Sequence, residues 1–121
     1  MTVQELLSLT EVYWYTSLDL YIKDRTPRIV CMDGTSLSVQ ASEHNYCIPQ
    51  DNSGPYIQVE VGFPSRKFDE LMPYIDGDST TDPTATVYGY VPIDLVEKIV
   101  ADCGGICEEI TYLAKGSEAY R

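Results

Sequence analysis

Apolar and polar positions change period several times along the chain, and each change predicts an element. Thr2 stands before a run with Leu6, Leu7 and Leu9 on one side, which predicts a short helix capped by Thr2 and running through Leu9. Glu11 to Tyr15 is aromatic and β-prone. From Leu18 to Lys23 the period drops to two, with Leu18, Leu20 and Ile22 alternating against Asp19, Tyr21 and Lys23, which predicts a strand. Thr26-Pro27 marks a turn and Arg28 to Met32 the next strand. Asp33-Gly34 is a two-residue hairpin signal, so Leu37 to Ala41 is expected to pair back.

Pro49 to Pro55 holds Asn52, Ser53 and Gly54 and reads as a loop. Tyr56 to Phe63 alternates again, with Tyr56, Gln58 and Glu60 on one face and Ile57, Val59 and Val61 on the other; Pro64 ends it. Ser65 is placed to cap a short helix over Arg66 to Met72, stopped before Pro73. Asp76 to Pro83 is small, acidic and polar, hence an exposed loop of low order, and Thr86 to Val91 reads as a strand. Pro92 to Cys103 carries the clearest helical pattern. Pro92 suits the first helical position, Asp94 the positive end of the dipole, and Ile93, Val96, Ile99, Val100 and Cys103 share one face. Gly104-Gly105 ends that helix, Ile106 to Leu113 is expected as a last strand, and Lys115 to Arg121 as a tail.

The chain has 121 residues, without an internal repeat or a linker, so these elements predict one α+β domain over 1–121, an antiparallel sheet with about three short helices. Hydrophobic residues make up 44% and charged residues 22%, ordinary values for a globular protein. The apolar runs are too short to span a membrane. Met1 to Thr10 lacks a basic segment and includes Glu5, so it does not read as a secretion signal.

Charge narrows the partners. Eight Lys and Arg against 19 Asp and Glu give a net charge of −11. Such a surface repels nucleic-acid phosphates and anionic membranes, so neither is an expected partner. Solubility is the plain reading of the charge; mimicry of nucleic acid toward a basic protein is the sharper one. The acids avoid Gly34 to Ser42, Asn52 to Val59 and Pro83 to Ile93. The bases gather at Lys23, Arg25 and Arg28 and again at Arg66 and Lys67. If these regions meet, they form a neutral-to-basic hollow suited to a small anionic ligand.

Reduced thiols are the default for Cys31, Cys47, Cys103 and Cys107 without a secretion signal. His44-x2-Cys47 with Cys103-x3-Cys107 has spacing compatible with zinc, but Cys31 and Cys103 sit in apolar stripes as small core residues do, and no metal or other cofactor is expected. His44 is the one histidine. A His44–Cys47 thiolate pair has no evident orienting third group, and no Ser-His-Asp order, metalloprotease helix or phosphate-binding glycine loop is present, so catalysis is not expected.

Ten tyrosines against two phenylalanines exceed what a core requires. Tyr13, Trp14 and Tyr15 are consecutive, so a strand must show aromatic rings on both faces, one of them at an interface or a partly open surface. Tyr88 and Tyr90 share one face of their expected strand and are candidates for stacking on a base. Gln40, Ser42, His44, Asn45 and Tyr46 form a stretch of uncharged hydrogen-bond formers able to read a purine edge or a ribose. Arg28, opening a strand after Pro27, is the first choice for phosphate and Arg66 the second, with Ser65 at a helix start next to Arg66 and Lys67 as a phosphate corner; the plainer roles are offsetting nearby carboxylates and an ordinary cap.

Val39-Gln40-Ala41-Ser42, His44-x-Tyr46-Cys47-x-Pro49, Tyr56-x-x-Val59-Glu60-Val61-Gly62-Phe63-Pro64-Ser65 and Val87-Tyr88-Gly89-Tyr90-Val91-Pro92, with Gly104-Gly105-Ile106, together resemble small phage and prophage proteins, and specifically the phage anti-Thoeris sponge family. The resemblance covers roughly residues 36 to 106. It implies a protein that sequesters cyclic ADP-ribose isomers made by bacterial TIR-domain defence enzymes, binds them without cleavage, and forms an oligomer built from dimers. It also implies residence in the host cytoplasm. Some members hold cyclic oligonucleotides at separate sites. Many relatives have a basic residue after the Cys-x-Pro step, where this chain has Gln50. The candidate ligand contacts are Arg28, Gln40, Ser42, His44, Tyr46, Ser65, Arg66, Tyr88 and Tyr90. The rival expectations are an acidic inhibitor of a host defence nuclease, acting as a nucleic-acid mimic, and a phage structural protein without a ligand.

Overall fold

In the computed structural model, which describes residues 1–113, the chain begins with helix α1 (Val3–Ser8) and a hairpin of β1 (Val12–Tyr15) and β2 (Leu20–Lys23). Strands β3 (Ile29–Val30), β4 (Ser36–Gln40) and β5 (Gln58–Gly62) follow, then a 3-10 helix (Asp69–Tyr74), β6 (Val87–Pro92), α2 (Ile93–Asp102) and α3 (Glu108–Leu113). The expected tail from Lys115 to Arg121 lies outside the described residues. The architecture is α+β, as the periodicities predict. No described helix is long and apolar enough to cross a membrane.

Thr2 caps α1 through a reciprocal pair. Its hydroxyl accepts from the Glu5 amide at 3.0 Å, and the Glu5 carboxylate accepts from the Thr2 amide at 2.9 Å. A helix of six residues does not stand alone in water. It is held by burial of Val3, Leu6 and Leu7 and by Glu97 of α2, whose two carboxylate oxygens accept from the Val3 and Gln4 amides at 2.7 and 3.2 Å. Leu9, expected on the apolar side, lies just past the helix and is exposed.

Strands β3 to β6 pair antiparallel in sequence order, as a meander. Val39 faces Val61, and Val59 faces Val91, across the ladders. These valines, with Leu37 and Tyr88, join Ile93, Val96, Ile99 and Val100 of α2 in one core. Each such buried aliphatic side chain contributes about 1.5–3 kcal/mol. The α2 face is the one the spacing predicts, and Gly104 and Gly105 end the helix at φ +94° and +85°. Pro92 falls one residue earlier than expected, at the N-cap.

Several expectations fail for local reasons. Ile106 to Leu113 is not a strand. Only Ile106 bridges to Cys31, and α3 follows with Glu108 and Glu109 in its first turn. The edge of β3 is already satisfied there: the Val30 amide donates to the Thr111 hydroxyl at 3.1 Å, and the Cys107 amide donates to the Val30 carbonyl at 2.7 Å. Ser65 caps no helix. Its amide donates to the Ser36 carbonyl and its hydroxyl accepts from the Ser36 amide at 2.9 Å, so the helical turn starts only at Asp69 and carries Pro73 inside it. Ile57 is exposed and Tyr56 buried, the reverse of a simple continuation of β5, because the Gln4 side chain clamps both the Tyr56 amide and carbonyl ahead of the strand. The strand expected from Leu18 begins only at Leu20; in β2 the buried residue is Lys23, while Leu20, and Leu18 ahead of the strand, are exposed. The 76–83 segment is ordered by turns in which the Asp78 and Asp82 side chains accept from the Thr80 and Thr84 amides.

Candidate functional site

The 42–46 loop contributes to two concavities. Tyr46 lines one with Pro73, Tyr74, Ile75, Asp76, Gly89 and Tyr90, an aromatic cleft of about 340 Å3. Asn45 lines the other with Lys23, Asp24, Arg25, Gln40, Ser42 and Glu60, a polar pocket of about 320 Å3.

The cleft exists because β6 carries one extra residue. Val59 pairs with Val91 and Val61 with Tyr88, so two steps along β5 match three along β6. The bulge falls at Gly89-Tyr90, and Tyr90 takes a left-handed φ of +53°. A bulky residue there is strained by about 1–2 kcal/mol, and the result is a re-aimed ring. Tyr88 and Tyr90 therefore do not share a face. Tyr88 is fully buried, its hydroxyl donating to the Pro83 carbonyl at 2.5 Å, and it cannot stack on a ligand. Tyr90 is 44% exposed, and its ring centroid lies 5.9 Å from that of Tyr46. The Tyr90 amide donates to the Tyr46 carbonyl at 3.0 Å, which ties the loop to the bulge. Gly89 lets the loop come this close: a Cβ there would stand 3.3 Å from Tyr46 Cβ. The opposite wall is fixed by the Ile75–Tyr88 bridge and by the Asp76 amide donating to the Val87 carbonyl.

The polar pocket is built on satisfied side chains. Gln40 accepts from the Thr26 amide at 2.8 Å and donates to the Thr26 carbonyl and Ser38 hydroxyl. Its amide is a clamp rather than a free reader of a ligand. The Ser42 hydroxyl accepts from the His44 amide and donates to Asn45 Oδ1, and Asn45 Nδ2 donates to Glu60 at 2.9 Å. The His44 ring is exposed at the loop surface.

The remaining candidates lie elsewhere. Arg28 Nε donates to the Ser36 hydroxyl and its Nη2 to the Phe63 carbonyl at 2.6 Å; burial lowers its pKa. Arg66 stacks over the Phe68 ring at 4.1 Å and shares a small recess with Glu70, Asp102 and Cys103. Arg28, Ser65 and Arg66 line neither the aromatic cleft nor the polar pocket, so the two basic groups do not form one hollow. The bases beside the polar pocket are Lys23 and Arg25. Burial, the largest cause, pushes the Cys47 thiol up, and its contacts are the Ser42 and Pro49 carbonyls, so it is no activated thiolate. Cys31 is pushed up to about 12 by burial. No group of three His, Cys, Asp or Glu among the described residues is placed to hold a metal ion.

Sequence reasoning missed Tyr74 and Gly89 as site residues, and placed Lys23 only in the basic group with Arg25 and Arg28. A glycine inside an apolar strand followed by a bulky residue is a signal of a bulge and could have marked Gly89. Comparison with known proteins finds no matching family model, no matching curated protein and no matching solved structure.

Proposed function

We propose that this protein is a phage counter-defence sponge. It binds a cyclic ADP-ribose-type or cyclic-oligonucleotide immune signal in the host cytoplasm and withholds it without cleaving it. The observation that carries the reading is the meeting of two separate blocks of the family resemblance. Tyr46 of the His44-x-Tyr46 block and Gly89-Tyr90 of the Val87–Pro92 block form one aromatic cleft, held by a backbone hydrogen bond and a strained bulge. Rigid aromatic walls suit a purine and avoid ordering costs on binding. Mass action does the rest, since the free signal falls as the protein accumulates.

The titratable carboxyl in the cleft lining is Asp76, and the lining holds no base for a phosphate. The proposal therefore sets the complete site at a boundary between copies, where Arg28 or Arg66 of another copy reaches the phosphates. The β1–β2 hairpin supports an oligomer built from dimers. Its Val12, Tyr13, Trp14, Tyr15, Leu18, Leu20 and Tyr21 are all more than a third exposed, and an isolated two-stranded hairpin is marginal in water.

Calorimetric titration with cyclic ADP-ribose isomers and cyclic oligonucleotides tests the reading. One of them binds saturably and raises Tm, as selective binding to the native state requires. Absence of binding by both classes, with salt-sensitive binding to a basic nuclease, would replace the sponge with the acidic mimic.

A further inference from the structure

Lys23 ends β2 with 9% of its surface exposed. Its ammonium donates to the Ala41 carbonyl at 2.9 Å and to the Tyr56 hydroxyl at 3.2 Å, and lies 4.8 Å from the centre of the Tyr56 ring. Tyr56 in turn donates to the Asp51 carbonyl, so its oxygen lone pair faces the lysine. Both partners are neutral. Among the described residues the ion pairs within 4.0 Å are Lys67–Asp69 and Lys98–Asp102, so neither Lys23 nor Arg25 has a paired carboxylate. A buried ammonium without a counter-ion is unfavourable, because its lost hydration is not repaid. An ammonium also has three donors, and two are used.

The same pocket has an acidic side. Glu60 is held by Asn45, and its second carboxylate oxygen accepts no hydrogen bond among the described residues. A bare anion at Lys23 and Arg25 would meet repulsion from Glu60 and Asp24. A neutral sugar would leave Lys23 uncompensated. A molecule carrying a phosphate and hydroxyls satisfies both sides, and about 320 Å3 falls at the small end of ligand pockets (~300–1,000 Å3).

We infer that the Lys23 pocket binds a sugar phosphate, with the phosphate on Lys23 and Arg25 and the sugar hydroxyls on Glu60. This site stands apart from the aromatic cleft and does not rest on the sponge reading. The ammonium touches the Ala41 carbonyl and the Tyr56 hydroxyl, Cys47 and Asp51 are near enough to favour its charge, and Asp24, Arg25 and Glu60 line the pocket with Lys23. Burial lowers the Lys23 pKa to about 8, with Cys47 and Asp51 opposing it. A bound phosphate favours the ammonium, so affinity falls as pH rises above 8.

Ribose 5-phosphate is the probe. Calorimetry on the intact chain at fixed ionic strength gives saturable binding, with ribose and inorganic phosphate each about tenfold weaker or more. Arg25→Gln, at an exposed position, weakens binding several-fold without changing Tm, and Lys23→Met weakens it by about tenfold or more. Should Lys23→Met fail to fold, the Lys23 ammonium resonance of the parent protein decides, because its titration midpoint rises when ribose 5-phosphate is added. Equal binding of ribose and ribose 5-phosphate, an Arg25→Gln variant that binds as the parent does, or an unmoved Lys23 midpoint would overturn the assignment.

Discussion

Replacing Glu97 by alanine tests how the first helix is held, and the consequence reaches the polar pocket. Glu97 is half-buried on α2, and its carboxylate accepts from the Val3 and Gln4 amides, the first donors of α1. Val3 is fully buried, so its amide has little access to water once Glu97 is gone. A hydrogen bond to a charged group is worth about 1.5–3 kcal/mol, and a carboxylate at a helix N-terminus adds ~0.3–1 kcal/mol. The 2.7 Å bond carries most of this and the 3.2 Å bond less, so Glu97→Ala is expected to cost about 2–4 kcal/mol. For a domain of this size that lowers Tm by roughly 6–20 °C. Glu97→Gln keeps one acceptor and loses about half as much. Urea unfolding followed by far-ultraviolet circular dichroism reads both, since the exposed Trp14 is a poor reporter of this region. The effect propagates through Gln4, which clamps Tyr56, whose hydroxyl accepts from Lys23. Glu97→Ala within about 0.5 kcal/mol of the parent, inside the range of a neutral surface change, would refute the reasoning that this carboxylate seats α1.

Stability is expected to rise between pH 8 and about 9, to level off while Cys31 opposes Lys23, and to fall above about 10.5, where the Lys23 contribution is complete. Lys23 has a folded-state pKa below its unfolded one, so the unfolded chain binds more protons between the two, whereas Cys31, pushed up to about 12, keeps its proton in the fold while the unfolded thiol loses it above about 9. Denaturant midpoints across this range check it, and a flat profile in the parent would contradict the buried ammonium. Trp14 and Tyr21 rings lie 4.8 Å apart on the exposed hairpin, so a Trp14→Ser, Tyr21→Ser variant is expected to fall to the mass of a single 13.6 kDa chain in light scattering. A parent mass of 13.6 kDa at micromolar concentration would remove the interface. Tyr46→Ala, at a half-exposed ring, is expected to weaken a stacked base by ~1–3 kcal/mol, or about 5- to 150-fold, with little change in Tm. Unchanged affinity in calorimetry would take the ligand out of the cleft.

The strongly periodic elements were legible in the sequence: the α2 face and its Gly104-Gly105 stop follow from local chemistry, and a hairpin forms around Asp33-Gly34, although its loop between Val30 and Ser36 is longer than the two residues expected. What local pattern could not supply was competition from distant groups. Thr111 and Cys107 take the β3 edge, so Ile106 to Leu113 turns into a bridge and a helix. Ser36 takes the Ser65 hydroxyl, and the expected cap vanishes. Of the candidate contacts, Tyr46 and Tyr90 meet in one cleft, and Gln40 and Ser42 line the neighbouring pocket. Tyr88 was misread because an alternation of two assumes an unbroken ladder, and the bulge at Gly89-Tyr90 reverses the parity. Lys23 was hidden for a different reason: in a two-stranded hairpin with apolar residues exposed on both sides, hydropathy does not say which residue turns inward.

The sponge reading is tested most directly by what becomes of the signal. The protein is incubated with the product of a TIR-domain enzyme, filtered free of unbound small molecules, heated to unfold it, and the released material is assayed for activation of the host effector. The account predicts that activity vanishes from the filtrate and returns, chemically intact, after heating. Activity that stays in the filtrate, or a released compound that has been cleaved, would contradict it.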